Sequence, residues 1–600
     1  MLSPALAKIV FASAAFSLAI FTNLLSNVTG HFYKLKYSFS EEVNIEQKVT
    51  EFLNEKNDVF YHAAVASSQL ECSIVGKDIL KAGGNAVDAS IASTLCEGVV
   101  EPYHSGIGGG AIMVIYNHTT KSTTTILSRE KAPSAATSDM FVGIENPKRG
   151  AKLIAVPGQL RGLEYAYKKY GGKISWTSLF QPAIDKAKNG FTVSGELAIM
   201  LETLYKDVVA WELDSLFCDI YCNEDKTGMK QEGDTVKNPL LAETLTKIQQ
   251  YGVDVFYNGE ISDQIIDEIR GQGGIITKKD LLDYDVIEKP SIKIPLPNAG
   301  YTMHASPLPM GGPVLGAILS VMDLFGITPQ DYQSNATIQW QRTIESFRHA
   351  YGARYSMGDP IFAPQAQIIE DKIVSGDFAK ETISKIFSDR TFHDPAYYGA
   401  KFMKPTESST SHLSVLDQNK NAVAITSTIA YSWGSYVISP STGVIFNDIM
   451  TDFSFPTGDP AHDSELYAEN QIEGGKRPLS SMTPAILLDN NQQPVFVIGG
   501  AGGLRIPTSV AQVLLRLLYL GSDEDITSAI KEKRLHDSLI PDYMEYEGGF
   551  VPGVVEKLRK IGHNIKTMIA KPRVNGIQII KSQINAYSDL RDKGAGASGW

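Results

Sequence analysis

Cysteine is scarce in this chain, with four in 600 residues, too few for a disulfide scaffold. The four fall as Cys72 with Cys96 and Cys218 with Cys222. Such close pairs suit two disulfides in an oxidising compartment, or buried thiols in a reducing one. Positive charge is also short: 55 Lys and Arg stand against 67 Asp and Glu, a net −12. Without a basic stripe, nucleic acid is argued against as a partner. The glycine run Ser105-Gly-Ile-Gly-Gly-Gly-Ala111 lacks a closing Lys-Ser/Thr, and a strand (Ala111 to Tyr116) follows it where a nucleotide loop needs a helix. Glycines there more simply let backbones approach closely beside a cavity. What the chain does have is apolar mass. A 43% hydrophobic content can bury a large core, and the length alone suggests more than one domain.

Export is expected from the amino terminus. Ile9 to Leu25 is apolar and uncharged, preceded by Lys8 and followed by the polar Ser26 to Lys36. It reads as a signal peptide or as a single type II anchor within segment 1–36. Either places the body outside, at the extracellular face of the plasma membrane or secreted. The sequons Asn117-His-Thr, Asn335-Ala-Thr and Asn27-Val-Thr agree with export. In that compartment disulfides become the better reading of the cysteine pairs.

Helical periodicity runs from Val65 through Leu80 behind the expected caps Ser67 and Ser68, and Gly83-Gly84 ends it. Asn85 caps a second apolar helix to Val100, and Cys96 on it can bridge back to Cys72. A turn at Asn117 to Lys121 returns the chain through Ser122 to Ser128, delivering Arg129 and Glu130 at the strand's end. Arg129 is a candidate bidentate grip for a carboxylate. Further helices are expected over Gly158–Tyr170, Ser175–Asn189, Leu240–Tyr251, Ile261–Gln272 and Gln339–Met357. After Ala400 the texture shifts to Gly, Ser, Thr and β-branched residues, with strands at Ala485–Leu488 and Val495–Ile498. The run Gly499-Gly-Ala-Gly-Gly503 then enters a helix from Thr508 to Leu518, presenting N–H groups that can hold an anion, stable or transient.

Thr410 to Thr428 reads as a hairpin, two alternating arms around Asp417-Gln-Asn-Lys-Asn421. Centred on Asn419, its arms set Thr410 opposite Thr428. A second hydroxyl beside the first is what a threonine nucleophile needs, although cross-strand Thr pairs are also ordinary in sheets.

Taken in order, Gly-Asn-Ala-Val-Asp-Ala at Gly84, Gly-Ile-Gly-Gly-Gly, Ser-Arg-Glu-Lys-Ala-Pro, Thr-Ser-His-Leu-Ser-Val, Pro-Leu-Ser-Ser-Met and Gly-Ala-Gly-Gly resemble the gamma-glutamyltransferase (glutathione hydrolase) family of N-terminal nucleophile hydrolases. The similarity covers Ala64 to Trp600. It implies an α/β (α+β) fold, the αββα sandwich of two stacked antiparallel sheets flanked by helices. It also implies a precursor cut between Ser409 and Thr410 into a large subunit, 37–409, and a small one, 410–600, that stay together as a heterodimer. By resemblance, Thr410 is the nucleophile, Thr428 positions it, and Gly502 and Gly503 supply oxyanion N–H groups. Arg129, Ser480 and Ser481 hold the donor α-carboxylate, and Asp452 the α-ammonium. The implied donors are glutathione and γ-glutamyl conjugates, the acceptors water, an amino acid or a dipeptide. No cofactor and no metal is implied.

The sequence departs from the family pattern at Ala430 and Ile449, where polar residues usually help hold the ammonium. Losing two charged hydrogen bonds, each worth roughly 1.5 to 3 kcal/mol, weakens such a donor by about two powers of ten or more. Two alternatives follow: a secreted, catalytically weakened paralogue, and an amidase whose donor lacks the α-ammonium.

Overall fold

Alternation along the two hairpin arms is the local cause of the architecture. Leu413, Val415, Val423 and Ile425 belong to one core cluster, while their neighbours Leu416, Ala422 and Ala424 belong to another. A strand pair buried on both faces needs a layer on each side. The computed structural model describes residues 59–144, 149–211, 215–400, 409–456, 458, 468–521, 524–551, 553–569 and 571–600. The expected export segment, the sequon at Asn27 and most of the polar run ahead of Thr410 lie outside the described residues.

In chain order the sheet strands are β1 (Val59–Phe60), β2 (Ala64–Ser67), β3 (Gly110–Asn117), β4 (Ser122–Ser128), β5 (Ile287–Pro290), β6 (Ile292–Leu296) and β7 (Tyr301–Ala305). They continue as β8 (Ser409–Leu416), β9 (Ala422–Ala430), β10 (Ala485–Asp489), β11 (Pro494–Ala501), β12 (Arg573–Ile580), β13 (Gln583–Tyr587) and β14 (Gly596–Gly599). One seven-stranded sheet runs β14-β2-β8-β9-β3-β4-β5 and the other β1-β13-β12-β11-β10-β7-β6. Their pairings are antiparallel. The layer between the sheets is built of Ala64, Ala66, Val114, Ala422, Ala424, Val497 and Ile577, among others. Small side chains let the sheets close up: a Cβ on Gly499 would lie 2.3 Å from the His412 ring.

Helices cover both outer faces, as expected. Helix α1 (Leu70–Lys81), α2 (Ala86–Val100) and α3 (Gln159–Tyr170) share the core cluster of β8 and β9. Helix α4 (Gly312–Leu324), α5 (Pro329–Arg354) and α6 (Arg505–Tyr519) share that of β10 and β11. Asn85 caps α2 through a capping box with Asp88. The disulfides Cys72–Cys96, joining α1 to α2, and Cys218–Cys222 are both formed.

Three boundaries differ from expectation. Val65 to Ser67 is strand, and α1 starts only at Leu70, so Ser67 and Ser68 are not its caps. The reason is tertiary, since this short segment fills the place between β14 and β8. Helix α5 begins at Pro329, is broken at Asn335 and ends at Arg354, short of Met357. The glycine run does not open α6; Gly499 and Gly500 are the end of β11, and only Gly502 and Gly503 form the turn. Asp58 to Trp600 also forms a single compact unit where length suggested several. Sheet topology explains this, because one sheet interleaves β2 to β5 with β8, β9 and β14. Pieces meeting at Ser409–Thr410 could not fold as separate domains.

Candidate active site

The hairpin register is as expected from Leu416–Ala422 back to Ser411–Ser427, and there it changes. Ser409 pairs with Ala430, so Thr428 and Ile429 together face Thr410. The symmetric Thr410–Thr428 pairing is thus replaced by a β-bulge, a device that re-aims a side chain at the end of a ladder. Thr410 is buried and its Oγ1 makes no hydrogen bond. Thr428 is fixed from two sides. Its Oγ1 accepts the Ala430 N–H at 2.9 Å, and its backbone pairs with Gly110 of β3. The glycine loop before β3 wraps this strand end: a Cβ on Gly109 would lie 2.1 Å from the Thr428 carbonyl oxygen, and one on Gly108 as close to that of Ile445. Close backbone approach is therefore what these glycines provide. The Gly109 carbonyl accepts the Gly158 and Gln159 N–H groups at the start of α3.

Across from the hairpin, Gly502 (φ +126) and Gly503 (φ +60) turn the chain from β11 into α6. Both conformations are ones that side-chain-bearing residues rarely adopt. Their carbonyls accept from Arg505 and Ile506, while among the described residues neither glycine N–H donates a hydrogen bond. Tyr351 of α5 donates its hydroxyl to the next carbonyl, that of Leu504, and so ties the turn to the helical layer.

Arg129 follows β4 directly and is fully buried. Its Nη2 donates to Asp452, and its Nη1 reaches Glu130 Oε2 at 3.5 Å. Burial raises the Asp452 carboxyl above its ordinary range, and the Arg129 charge pulls it back. Burial also pushes Glu130 up to about 7, again opposed by Arg129. The Glu130 carboxyl lies over Gly110, where a Cβ would come within 2.4 Å of Oε2; it therefore neighbours Thr428 through β3. Asp448 sits at the same end of β9. Its Oδ1 accepts the Tyr431 N–H at 2.9 Å, and burial holds it well above the usual carboxylate range.

Ser480 and Ser481 lie in an extended, buried segment. Ser480 donates its N–H to the Pro309 carbonyl and accepts the Met482 N–H on its Oγ. Met482 packs with Leu127, two positions ahead of Arg129, and the Lys476 carbonyl accepts the Ala132 N–H. The serine segment is thereby held against the strand that carries Arg129. Ala430 and Ile449 are both fully buried, in one apolar cluster with Ala132, Ala155, Met450 and Phe453. At these two positions, where the family pattern has polar residues, the neighbours are apolar side chains. Among the described residues, no group of three or more His, Cys, Asp or Glu is placed to hold a metal ion.

Sequence reasoning assigned no role to Glu130 or Asp448. The available signal was position alone, Glu130 beside Arg129 and Asp448 inside the acidic run Asn447 to Asp452. His412 was also passed over. It is on β8 itself, two residues after Thr410, with Nδ1 2.8 Å from Thr426 Oγ1 and Nε2 3.1 Å from Ser414 Oγ, and burial lowers its pKa to about 3.

Known proteins resemble this chain over most of its length. The sequence profile of the family described as gamma-glutamyltranspeptidase matches residues 72–599. Scoloptoxin SSD14 of Scolopendra dehaani is 39% identical over 512 residues, 85% of this chain and 87% of that one. Glutathione hydrolase 2 of Arabidopsis thaliana is 38% identical over 501 residues, 82% of this chain and 83% of that protein. Glutathione hydrolase 5 proenzyme of Mus musculus is 32% identical over 551 residues, 90% and 93% of the two chains. Among solved structures, a cephalosporin acylase from Bacillus halodurans superposes with a TM-score of 0.77 at 23% identity, covering 90% of this chain and 96% of that one, a likeness of fold. With two stacked antiparallel sheets between helical layers, the chain belongs to the gamma-glutamyltranspeptidase family of enzymes.

Proposed function

We propose that the chain is a γ-glutamyl hydrolase and transferase whose nucleophile is Thr410, released by self-cleavage of the Ser409–Thr410 bond. The observation that carries this reading is the unpartnered, buried Thr410 Oγ1 at a bulge beside Thr428, with a glycine turn whose N–H groups make no hydrogen bond among the described residues. In the precursor, Thr410 Oγ attacks the Ser409 carbonyl and the acyl group moves from nitrogen to oxygen. Water then hydrolyses the ester, leaving a Ser409 carboxylate and a Thr410 α-amine. That amine takes the proton from Oγ as the hydroxyl attacks the γ-carbonyl of a donor. Gly502 and Gly503 stabilise the oxyanion, a contribution of about 3 kcal/mol per donor. The departing amine takes the proton, and water or an acceptor amine then releases the γ-glutamyl group from the Thr410 ester.

Donor recognition follows from the Arg129–Asp452 pair. With no donor bound the two side chains neutralise each other. An α-amino acid end carries the same two charges in reverse. Its carboxylate takes Arg129, Ser480 and Ser481, and its ammonium takes Asp452. Glutathione and γ-glutamyl conjugates have this end. A second reading, an amidase for donors without the ammonium, draws on the dry packing of Ala430 and Ile449. We place the body outside the cell, a reading supported by the two closed disulfides.

The test is to express the chain, look for two fragments on a denaturing gel, and assay release from a γ-glutamyl anilide. Two fragments with turnover support the proposal. Two fragments that release only a glutaryl anilide favour the amidase, and a single uncut, inactive chain overturns the Thr410 assignment.

A further inference from the structure

Resting on the proposed acyl chemistry, we infer that Arg573 and Glu196 are a positioning pair for the Gly502–Gly503 turn, an ion pair that joins the two fragments behind it. The turn is shaped from the back. A Cβ on Gly502 would lie 3.0 Å from Pro572 Cα, and Ala501, one residue earlier, pairs across the sheet with Arg573. A Cβ on Gly500 would lie 2.5 Å from the Arg573 carbonyl oxygen. Glycine leaves a turn many conformations, so the direction of the two N–H groups depends on the surface they rest against. That surface is the backbone from Pro572 to Val574.

Side chains hold this backbone at three points. Arg534 donates its Nη1 to the Pro572 carbonyl at 3.0 Å, and Asp589 accepts the Val574 N–H at 3.1 Å; both residues lie in 410–600. The third point is the side chain of Arg573, whose Nη2 donates to Glu196 in the first turn of the helix Gly195–Trp211. Asp592 Oδ2 lies 3.7 Å from Arg573 Nε, and neither of those atoms has a hydrogen-bond partner. Among the described residues, Glu196 is therefore the one hydrogen-bonded acceptor of this guanidinium. Glu196 belongs to 37–409, so this point of support comes from the other fragment. Both side chains are largely shielded from water, which strengthens the pair and makes the loss of one partner costly. An error of about 1 Å in the placement of a catalytic group can cost on the order of a hundredfold in rate, so slack at Arg573 reaches the chemistry through Gly502.

The experiment compares the processed two-chain protein with Glu196→Gln, Arg573→Lys and the double variant, changes that keep a hydrogen-bonding group at each place. Acylation is read as first-turnover release from a γ-glutamyl anilide. Ground-state binding is read as the dissociation constant of L-glutamate, which develops no oxyanion. Each single variant should acylate about tenfold more slowly, the lower end of what a charged hydrogen bond is worth, with L-glutamate binding within about twofold of the parent. Because the residues act as one pair, the double variant should be no slower than the slower single within about twofold. If one single variant stays uncut, the other decides. Acylation unchanged in a processed variant, slowing that adds in the double, glutamate binding that weakens in step with acylation, or loss of processing in both single variants overturns the inference. A parent that is cut and acylated on Thr410 while its variants are unchanged loses this assignment alone, whereas an uncut, inactive parent loses the proposed function.

Discussion

Thr428 and Ala430 are two positions apart on β9 and border two differently built regions. Around Thr428 the strand end is polar and over-determined: its hydroxyl, its carbonyl and its strand partner Gly110 are all engaged. Around Ala430 the packing is apolar, and the polar atoms that remain nearby, on Asp448 and Glu130, have oxygens without partners. The first region has the features of a bond-making centre, in which positioning is the main requirement. The second is an apolar cluster with two buried carboxyls beside it. If the first region carries the chemistry and the second the donor specificity, substitutions in the two should have separable effects.

The largest effect is expected at the nucleophile. Thr410→Ala should leave a single uncut chain with no turnover, read on a denaturing gel and in the anilide assay; cleavage in this variant would mean that another group attacks Ser409. Next is the glycine turn. Gly502→Ala places a Cβ 3.0 Å from the Pro572 backbone at φ +126, so kcat should fall on the order of a hundredfold or more with the oxyanion donors displaced. Both changes act on the first region.

Ala430→Asn acts on the second. Ala430 has φ +71, a conformation in which Asn is several-fold enriched, so backbone strain falls while a polar ligand is added. The donor KM should drop about tenfold at nearly constant kcat. An unchanged KM would show that this patch does not border the donor. In the helical layer packed on the hairpin, replacing Cys72 and Cys96 by Ser should lower stability by about 3 kcal/mol in urea melts through the closed-loop entropy term. The smallest effect concerns His412. Its folded pKa of about 3 lies below its ordinary 6.5, so the unfolded chain binds the proton first as pH falls. The stability it contributes is intact above 6.5 and is lost as pH falls toward about 3, by roughly 1.4 kcal/mol per pH unit within that window. His412→Gln lacks this slope, and the gap between the two proteins should narrow in acid.

Much of the first region was legible in the sequence. Alternation around Asp417–Asn421 identified the hairpin and its register, because strand period is a local property. The Gly108 to Gly110 run pointed to close backbone approach. The bulge was not legible. It depends on Ser409 pairing with Ala430, and nothing local to Thr410 distinguishes that from a continued ladder. Val65 to Ser67 was misassigned for a similar reason: its strand state comes from neighbours hundreds of residues away, β8 and β14. In the second region the motifs brought out Arg129 and Asp452, but no periodicity shows that Asp448 Oδ2 is buried and unmatched. That follows only from where folding places Asp448, with Oδ1 on the Tyr431 N–H and Oδ2 buried.

The most direct measurement is the mass of the small fragment after brief mixing with a γ-glutamyl anilide, followed by acid quenching and peptide mapping. The expected result is a fragment that begins at Thr410 and carries one γ-glutamyl group, esterified on the Thr410 peptide. A chain that stays whole, or an acyl group on any other residue, would contradict it.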